Sequence, residues 1–361
     1  MKYTPHRILM AASNRLGLTN LICNIYELER KPKKKHPIAQ DKVFGVFTDS
    51  FGNSIKLLSG LRDRIKPSWR VMINPAYTVI KAPSRDTMEQ KIKDQTKALT
   101  RIENFLQTQS LSFVGKEILE IGAYDGSSAY AFASFGAKRV LATDMAAYYI
   151  NQTPGGIVSK DEVAKKNIEL NQTRDAYSTV IDQKDATKVS FVEDDITVSS
   201  VASESMDVIV SWEVLEHITN PNDAFKEMAR ILKPGGFAFH EYNPFFSVDG
   251  GHSLCTLDFP WGHARLSDAD FEKYIEEFRP NEKDVSLSFF KNNLNRMTLS
   301  HLTDSMKQNG LEPVSIIPWY SEDDQAALTN SMLNQCKQIH PTVEHVDLVA
   351  PIVWVLCKKK E

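Results

Sequence analysis

Glu120, Gly122, Tyr124, Asp125 and Gly126 fall within seven residues, where the apolar run KEILEI gives way to the small-residue segment SSAYAFASFG. Two glycines at the carboxyl end of a strand let a ligand approach bare backbone. Asp144, eighteen residues after Gly126, closes the next apolar run. A carboxylate in that position accepts hydrogen bonds from a ribose diol. A dinucleotide site needs a further glycine at the middle position, so that pyrophosphate meets backbone N–H groups at a helix N-terminus. Tyr124 occupies that position, and Glu120 and Asp125 would repel phosphate. Steric and charge grounds both disfavour NAD. A cation that carries ribose and no phosphate fits, and S-adenosyl-L-methionine is such a cation.

A second group of chemical residues lies further on. Gly250-Gly251-His252 and Pro260-Trp261-Gly262-His263 stand among Phe245, Phe246, Phe259 and Trp261, with Arg265 following. Two glycine-flanked histidines among aromatics suit a pocket that holds a ring and removes a proton. Taking a proton from a hydroxyl calls for a base near the oxygen, and imidazole titrates in the right range. His252 and His263 are the candidate catalytic residues. No cysteine-rich spacing surrounds them and Cys255 alone completes no ligand set, so no metal site is expected. His217, in EVLEHI, reads as a structural residue at a helix start.

The elements that would position these groups alternate regularly. Residues 117–121, 139–144, 188–193, 207–211 and 236–242 read as five strands, and EPVSIIPW and PIVWVLC add two near the end of the chain. Helical patterns fill the gaps, among them residues 127–136, 221–232 and LSHLTDSMKQNG. This order predicts an α/β fold with a doubly wound, mostly parallel, seven-stranded Rossmann-like sheet. A helical flank precedes the sheet and a cap insertion follows the fifth strand. Residues 1–113 form a basic, mainly helical N-terminal region, and 114–361 form the core with the insertion at 244–297. About 50 residues is far beyond the usual connection of about 2–6, and long ordered loops at that edge act as lids or substrate caps. Within the N-terminal region, residues 1–30 have helical apolar spacing, 31–37 read as an exposed linker and 41–82 are irregular. A long helix spans 86–109, with Met88, Ile92, Ala98, Ile102, Phe105 and Leu106 on one face and Ser84 or Asp86 as cap. It can lie over the mouth of the pocket.

Charge divides along the same boundary. The first 113 residues hold 20 Lys and Arg against 9 Asp and Glu, and the remainder holds 23 against 37. A basic flank of this kind attracts a phosphorylated, lipid-linked or otherwise anionic substrate. No apolar run approaches the roughly 18–20 residues that span a bilayer, and the first residues lack the pattern of a secretory signal. Four dispersed cysteines, at 23, 255, 336 and 357, read as reduced thiols in a cytoplasmic protein.

Residues 117–242 resemble the core of a class I S-adenosyl-L-methionine-dependent methyltransferase of the small-molecule, methyltransferase type 11-like branch. The resemblance rests on Glu-x-Gly-x-x-x-Gly, on Asp144, on Asp194-Asp195-Ile196 and on MDVIVSWEVLEHITNPNDAFKEMARILKPGGF. It implies that Glu120, Gly122, Tyr124 and Gly126 line the methionine end and that Asp144 holds the ribose. It places Asp195 and Ile196 against the adenine and Trp212 beside the cofactor. The GGH…PWGH…LS pattern resembles methyltransferases of cell-surface polysaccharide or secondary-metabolite pathways. The expected activity is therefore O-methylation of a small molecule or glycan, with S- or N-methylation of a metabolite as an alternative. A nucleic-acid methylase is a further alternative, raised by the basic flank and by Asn243-Pro244-Phe245-Phe246. Such enzymes carry a related motif after the fourth strand, whereas here it follows the fifth and lacks the second proline. A non-catalytic binding module is disfavoured by the intact cofactor residues.

Overall fold

In the computed structural model of the chain, residues 3–5, 42–74, 79–153, 156 and 158–360 are described. The helical spacing read in residues 1–30 and the linker at 31–37 lie outside them, apart from β1 (Tyr3–Pro5).

Every apolar run read as a core strand is one. β4 (Glu117–Ile121), β5 (Arg139–Asp144), β6 (Val189–Glu193), β7 (Met206–Trp212) and β8 (Leu232–Tyr242) pair in parallel, and β9 (Leu311–Ser321) and β10 (Ile352–Lys359) close one side antiparallel. The order is β1-β9-β10-β8-β7-β4-β5-β6, so a mostly parallel seven-stranded sheet gains a three-residue edge strand. Successive residues serve opposite faces. Ile118, Val208 and Phe239 pack on one side, while Leu119, Ile209 and Ala238 pack on the other. Burial on both faces is why the central strands β4, β7 and β8 read as continuous apolar runs without alternation. β8 starts four residues before the predicted 236, with an irregularity in its pairing to β7 between Met206 and Val208.

Helices α1 (Arg85–Gln107) and α2 (Ser127–Phe135) cover the first face. Ser84 caps α1, accepting from the Thr87 amide at 3.3 Å, and Asp86 lies in its first turn, where the helix dipole favours negative charge. Leu99 takes the core position expected of Ala98, alongside Ile102, Phe105 and Leu106. Helix α3 (Lys160–Ser178) runs beside β6, and α4 (Pro221–Ile231) covers the second face.

The insertion after β8 folds into a cap with its own apolar core. It includes α5 (Asp268–Phe278) and α6 (Lys283–Asn292), and α7 (Leu299–Gln308) returns the chain to the sheet. Residues 42–74, read as irregular, contribute to that cap core. They form a hairpin of β2 (Val43–Thr48) and β3 (Ser54–Leu58) followed by two short helices. Asp49 accepts from the Phe51 and Asn53 amides and builds the turn. Phe47, Ile55 and Leu57 sink into the cap core, and Arg62 forms a buried bidentate pair with Glu282 at 2.9 and 2.7 Å. Strands this short, with one buried face and a bulge at Val43–Gly45, leave little periodic signal.

Candidate active site

The loop after β4 is shaped by backbone that few residues adopt. Gly122 has φ +73°, and a Cβ there would lie 2.4 Å from Val214 Cγ2, so only glycine fits between the ends of β4 and β7. Tyr124 has φ 44° and its amide donates to Asp144 Oδ2 at 2.6 Å. At Gly126, φ is +78° and a Cβ would meet the Phe191 ring at 2.6 Å. This glycine therefore starts α2 against β6 and does not itself line the cavity.

A cavity of about 590 Å³ opens over these strand ends. Of the residues expected at the cofactor, Glu120, Gly122, Tyr124, Asp144, Asp195, Ile196 and Trp212 line it. Glu120 is fully buried. Ser128 donates to its Oε1, and Oε2 has no hydrogen-bond partner. Burial, reinforced by the nearby Asp125 charge, pushes its carboxyl up to about 8. The Trp212 indole N–H is buried beside this carboxyl, and its interaction with the carboxylate opposes the upward shift. A buried carboxyl with so few donors around it is costly unless a ligand meets it. Asp195 accepts from the Thr197 amide and hydroxyl through Oδ1, which sets the turn that holds Ile196.

Asp144 is more heavily engaged than its position in the sequence suggests. Its Oδ2 accepts from the Tyr124 amide, the Tyr149 hydroxyl at 2.9 Å and Arg174 Nη2 at 3.3 Å, while Oδ1 accepts from the Met145 amide at 2.8 Å. Burial raises its pKa and the Arg174 guanidinium opposes that shift. Arg174, from α3, and Lys91, from α1, reach this loop, and the motifs did not mark them. Lys91 Nζ sits 2.6 Å from Asp125 Oδ2, and Lys91 and Gln95 line the cavity. Their only sequence signal is a basic or polar residue on the sheet-facing side of a helix, which many helices share.

The two candidate catalytic histidines part company. His263 is 1% exposed and is absent from the cavity lining. Its Nε2 hydrogen bonds to the Phe245 carbonyl at 2.7 Å, and burial pushes its pKa down to about 4. The sequence put it beside the acceptor, but the fold turns it into the cap core, where it ties Trp261–Arg265 to the loop after β8. His252 instead packs on His217, with ring centroids 4.7 Å apart. His217 lines the cavity, which the expectation of a structural role did not foresee. Burial drives the pKa of His217 down to about 4 and that of His252 well below its usual value, so both imidazoles are neutral. Glu216 completes the corner, its Oε1 4.0 Å from His252 Nε2 and its pKa raised well above normal by burial. Asn243-Pro244-Phe245-Phe246 is not a base-stacking platform. Phe245 and Phe246 are each 1% exposed and pack against one another and His340.

The family described as a methyltransferase domain matches residues 90–316. The chain is similar to an uncharacterized methyltransferase of Mycobacteroides abscessus, 24% identical over 161 residues, 45% of this chain and 52% of that protein. It is also similar to the ubiquinone biosynthesis O-methyltransferase of Actinobacillus pleuropneumoniae, 28% identical over 136 residues, 38% of this chain and 49% of that one. The chain thus spans about half the length of the curated relatives it matches. Among solved structures, it aligns with Haemonchus contortus phosphoethanolamine N-methyltransferase 2 bound to S-adenosyl-L-methionine. The TM-score is 0.44 at 15% identity, over 85% of this chain and 62% of that one.

Proposed function

The chain belongs to the methyltransferase-domain family, an S-adenosyl-L-methionine-dependent enzyme of class I fold, and from that premise we propose that it methylates a hydroxyl oxygen of a small molecule or glycan. The observation that carries this reading is the neutral His217 imidazole in the wall of the cavity, with His252 packed on its ring from behind the lining.

The cavity suits the cofactor. Glu120 and the Trp212 indole N–H, both in the cavity wall, offer an acceptor and a donor at the methionine end. The bare backbone at Gly122 admits a close neighbour, and Asp144 with Asp195 and Ile196 would hold the nucleoside. Bound there, S-adenosyl-L-methionine supplies a methyl group on a positively charged sulfur. The chain's own residues do the rest. The long helix α1 and the cap restrict entry, and Asp144 is held in one rotamer by four donors. His217 donates Nδ1–H to the Asn293 carbonyl at 2.6 Å, because a carbonyl only accepts, and its Nε2 keeps a lone pair. A hydroxyl entering beside this corner meets the His217 Nε2 lone pair, which accepts its hydrogen bond, orients the oxygen and draws on the proton as methyl transfer makes the oxygen acidic. General-base help is worth about 10²–10⁴-fold in rate.

An anionic acceptor and a cytoplasmic location belong to the same reading. The first is supported by the basic N-terminal third and the second by three described cysteines that are free and buried. Among the described residues no helix is long and apolar enough to cross a membrane.

The test is transfer of isotopically labelled methyl to a panel of phenols, catechols, sugars, amines, thiols and RNA, with mass spectrometry locating the label. Label on hydroxyl oxygen is the expected result. Label confined to nitrogen, sulfur or RNA overturns the reading.

A further inference from the structure

The corner that holds His217 and His252 has a donor set that proton transfer does not need. Glu216 and His217 lie on the turn Leu215–His217, directly after β7, and His252 starts the first short helix of the cap. One ligand atom from each comes within 4.8 Å of the other two. Glu216 is 1% exposed. Its carboxylate is met by backbone amides alone, Oε1 accepting from that of Asn243 at 3.2 Å, with no side-chain donor among the described residues. His252 Nε2 is buried, without a hydrogen bond, 4.0 Å from Glu216 Oε1. That gap is too long for a hydrogen bond. His252 also has φ 51°, in the left-handed region that non-glycine residues rarely adopt, and such strain collects at functional sites.

We propose that Glu216, His217 and His252 bind a divalent transition-metal ion at the acceptor end of the cavity. Ligands bonded at about 2.0–2.2 Å stand roughly 3–3.5 Å apart around such an ion, so an adjustment of about 1 Å closes the group. Two imidazoles and one carboxylate favour zinc, iron(II), cobalt or manganese over magnesium or calcium, which prefer all-oxygen shells. The hydrogen bond from His217 Nδ1–H to the Asn293 carbonyl fixes the tautomer that leaves Nε2 free to ligate, the usual outer support of a metal-bound histidine. The one nearby ammonium among the described groups, Lys66, is held by Asp249 at 3.3 Å and lies close to Glu213 and Glu216. Its charge is thus compensated locally.

Three protein ligands leave coordination positions open, as in catalytic zinc sites. His217 lines the cavity, so an acceptor oxygen can fill one. This role rests on the O-methylation reading, while metal binding itself does not. The acceptor O–H bond breaks and its proton leaves to solvent. An O–C bond then forms to the methyl carbon as the S–C bond breaks, releasing neutral S-adenosylhomocysteine. The ion keeps its charge throughout and lowers the acceptor's pKa.

The full chain, stripped with chelator, is titrated with Zn²⁺, Mn²⁺, Co²⁺ and Mg²⁺ by calorimetry, with Co²⁺ also followed by its visible absorption. One equivalent of a transition ion should bind more tightly than Mg²⁺. Glu216→Gln and His252→Ala should each weaken binding at least tenfold, with S-adenosyl-L-methionine affinity kept as the check on folding. His301→Ala, on an exposed helix face, should change nothing. A wild-type chain that binds no stoichiometric ion, or binding unaffected by both substitutions, overturns the site. Hydroxyl methylation unchanged after chelation overturns the ion's role while O-methylation stands. Metal binding that depends on Glu216 and His252 without hydroxyl methylation supports the site and overturns the O-methylation reading.

Discussion

Lys91 Nζ lies 2.6 Å from Asp125 Oδ2, tying the helix that precedes the sheet to the loop after β4 that lines the cavity. Asp125 is buried and Lys91 is about one-third exposed, so the pair is worth more than a surface contact and less than a fully buried one. Lys91→Ala should weaken S-adenosyl-L-methionine binding by about 1 kcal/mol, roughly fivefold, and lower the melting temperature by a few degrees, because Asp125 is left buried without its ammonium. Calorimetric affinity and a thermal melt check both halves.

Glu120 gives a pH signature. Its carboxyl is neutral in the free protein at pH 7, because burial raises its pKa to about 8. Placing a cationic ammonium beside it favours the ionised form, so cofactor binding near pH 7 should release protons. Calorimetry in buffers of different ionisation enthalpy reads that release, and Glu120→Gln should diminish it. Stability moves in the opposite sense. The folded protein holds a proton there that the unfolded chain loses near 4.5, so this contribution is present below pH 4.5 and is lost as pH rises through about 8. Thermal melts of Glu120→Gln should show a flatter profile over that window.

His252 and His263 should separate cleanly under mutation. His252→Ala should lower turnover by about 10²–10⁴-fold with cofactor affinity nearly unchanged. His263→Asn removes a buried bond to the Phe245 carbonyl and should cost about 1–3 kcal/mol of stability, with a smaller effect on turnover at low temperature. Single-turnover rates and melts of both variants decide this.

Removing the first 109 residues should abolish folding. Leu99, Ile102, Phe105 and Leu106 belong to the sheet's own core, and burying each contributes about 1.5–3 kcal/mol. Their sum is comparable to the whole stability of a typical domain, about 5–15 kcal/mol. A chain beginning at residue 110 that melts cooperatively would count against this integration.

The sheet was legible because its central strands are buried on both faces, so Ile118-Leu119 and Val208-Ile209-Val210 are unbroken apolar runs bounded by polar or charged residues. The cofactor loop was legible because Gly122 and Asp144 sit at strand ends, where spacing alone sets position. Arg174 and Lys91 were not, since helix periodicity tells which face is buried but not which polar residue reaches a site. His217 was passed over because its partner, His252, lies across a cap that no local pattern could orient. The hairpin at 43–58 was missed because its apolar face finds its partners about two hundred residues later, in α5 and the loops around it.

That distance also sets a timetable. The Arg62–Glu282 pair joins residues 220 positions apart, and the ribosome adds about 5–20 residues per second. The hairpin therefore emerges roughly 10–45 s before the cap it completes, with Phe47, Ile55 and Leu57 still uncovered. Contacts of such long range close slowly. The newborn chain carries a sticky β-edge through most of its own synthesis, and its yield in cells will follow how well that edge is shielded until residue 282 arrives.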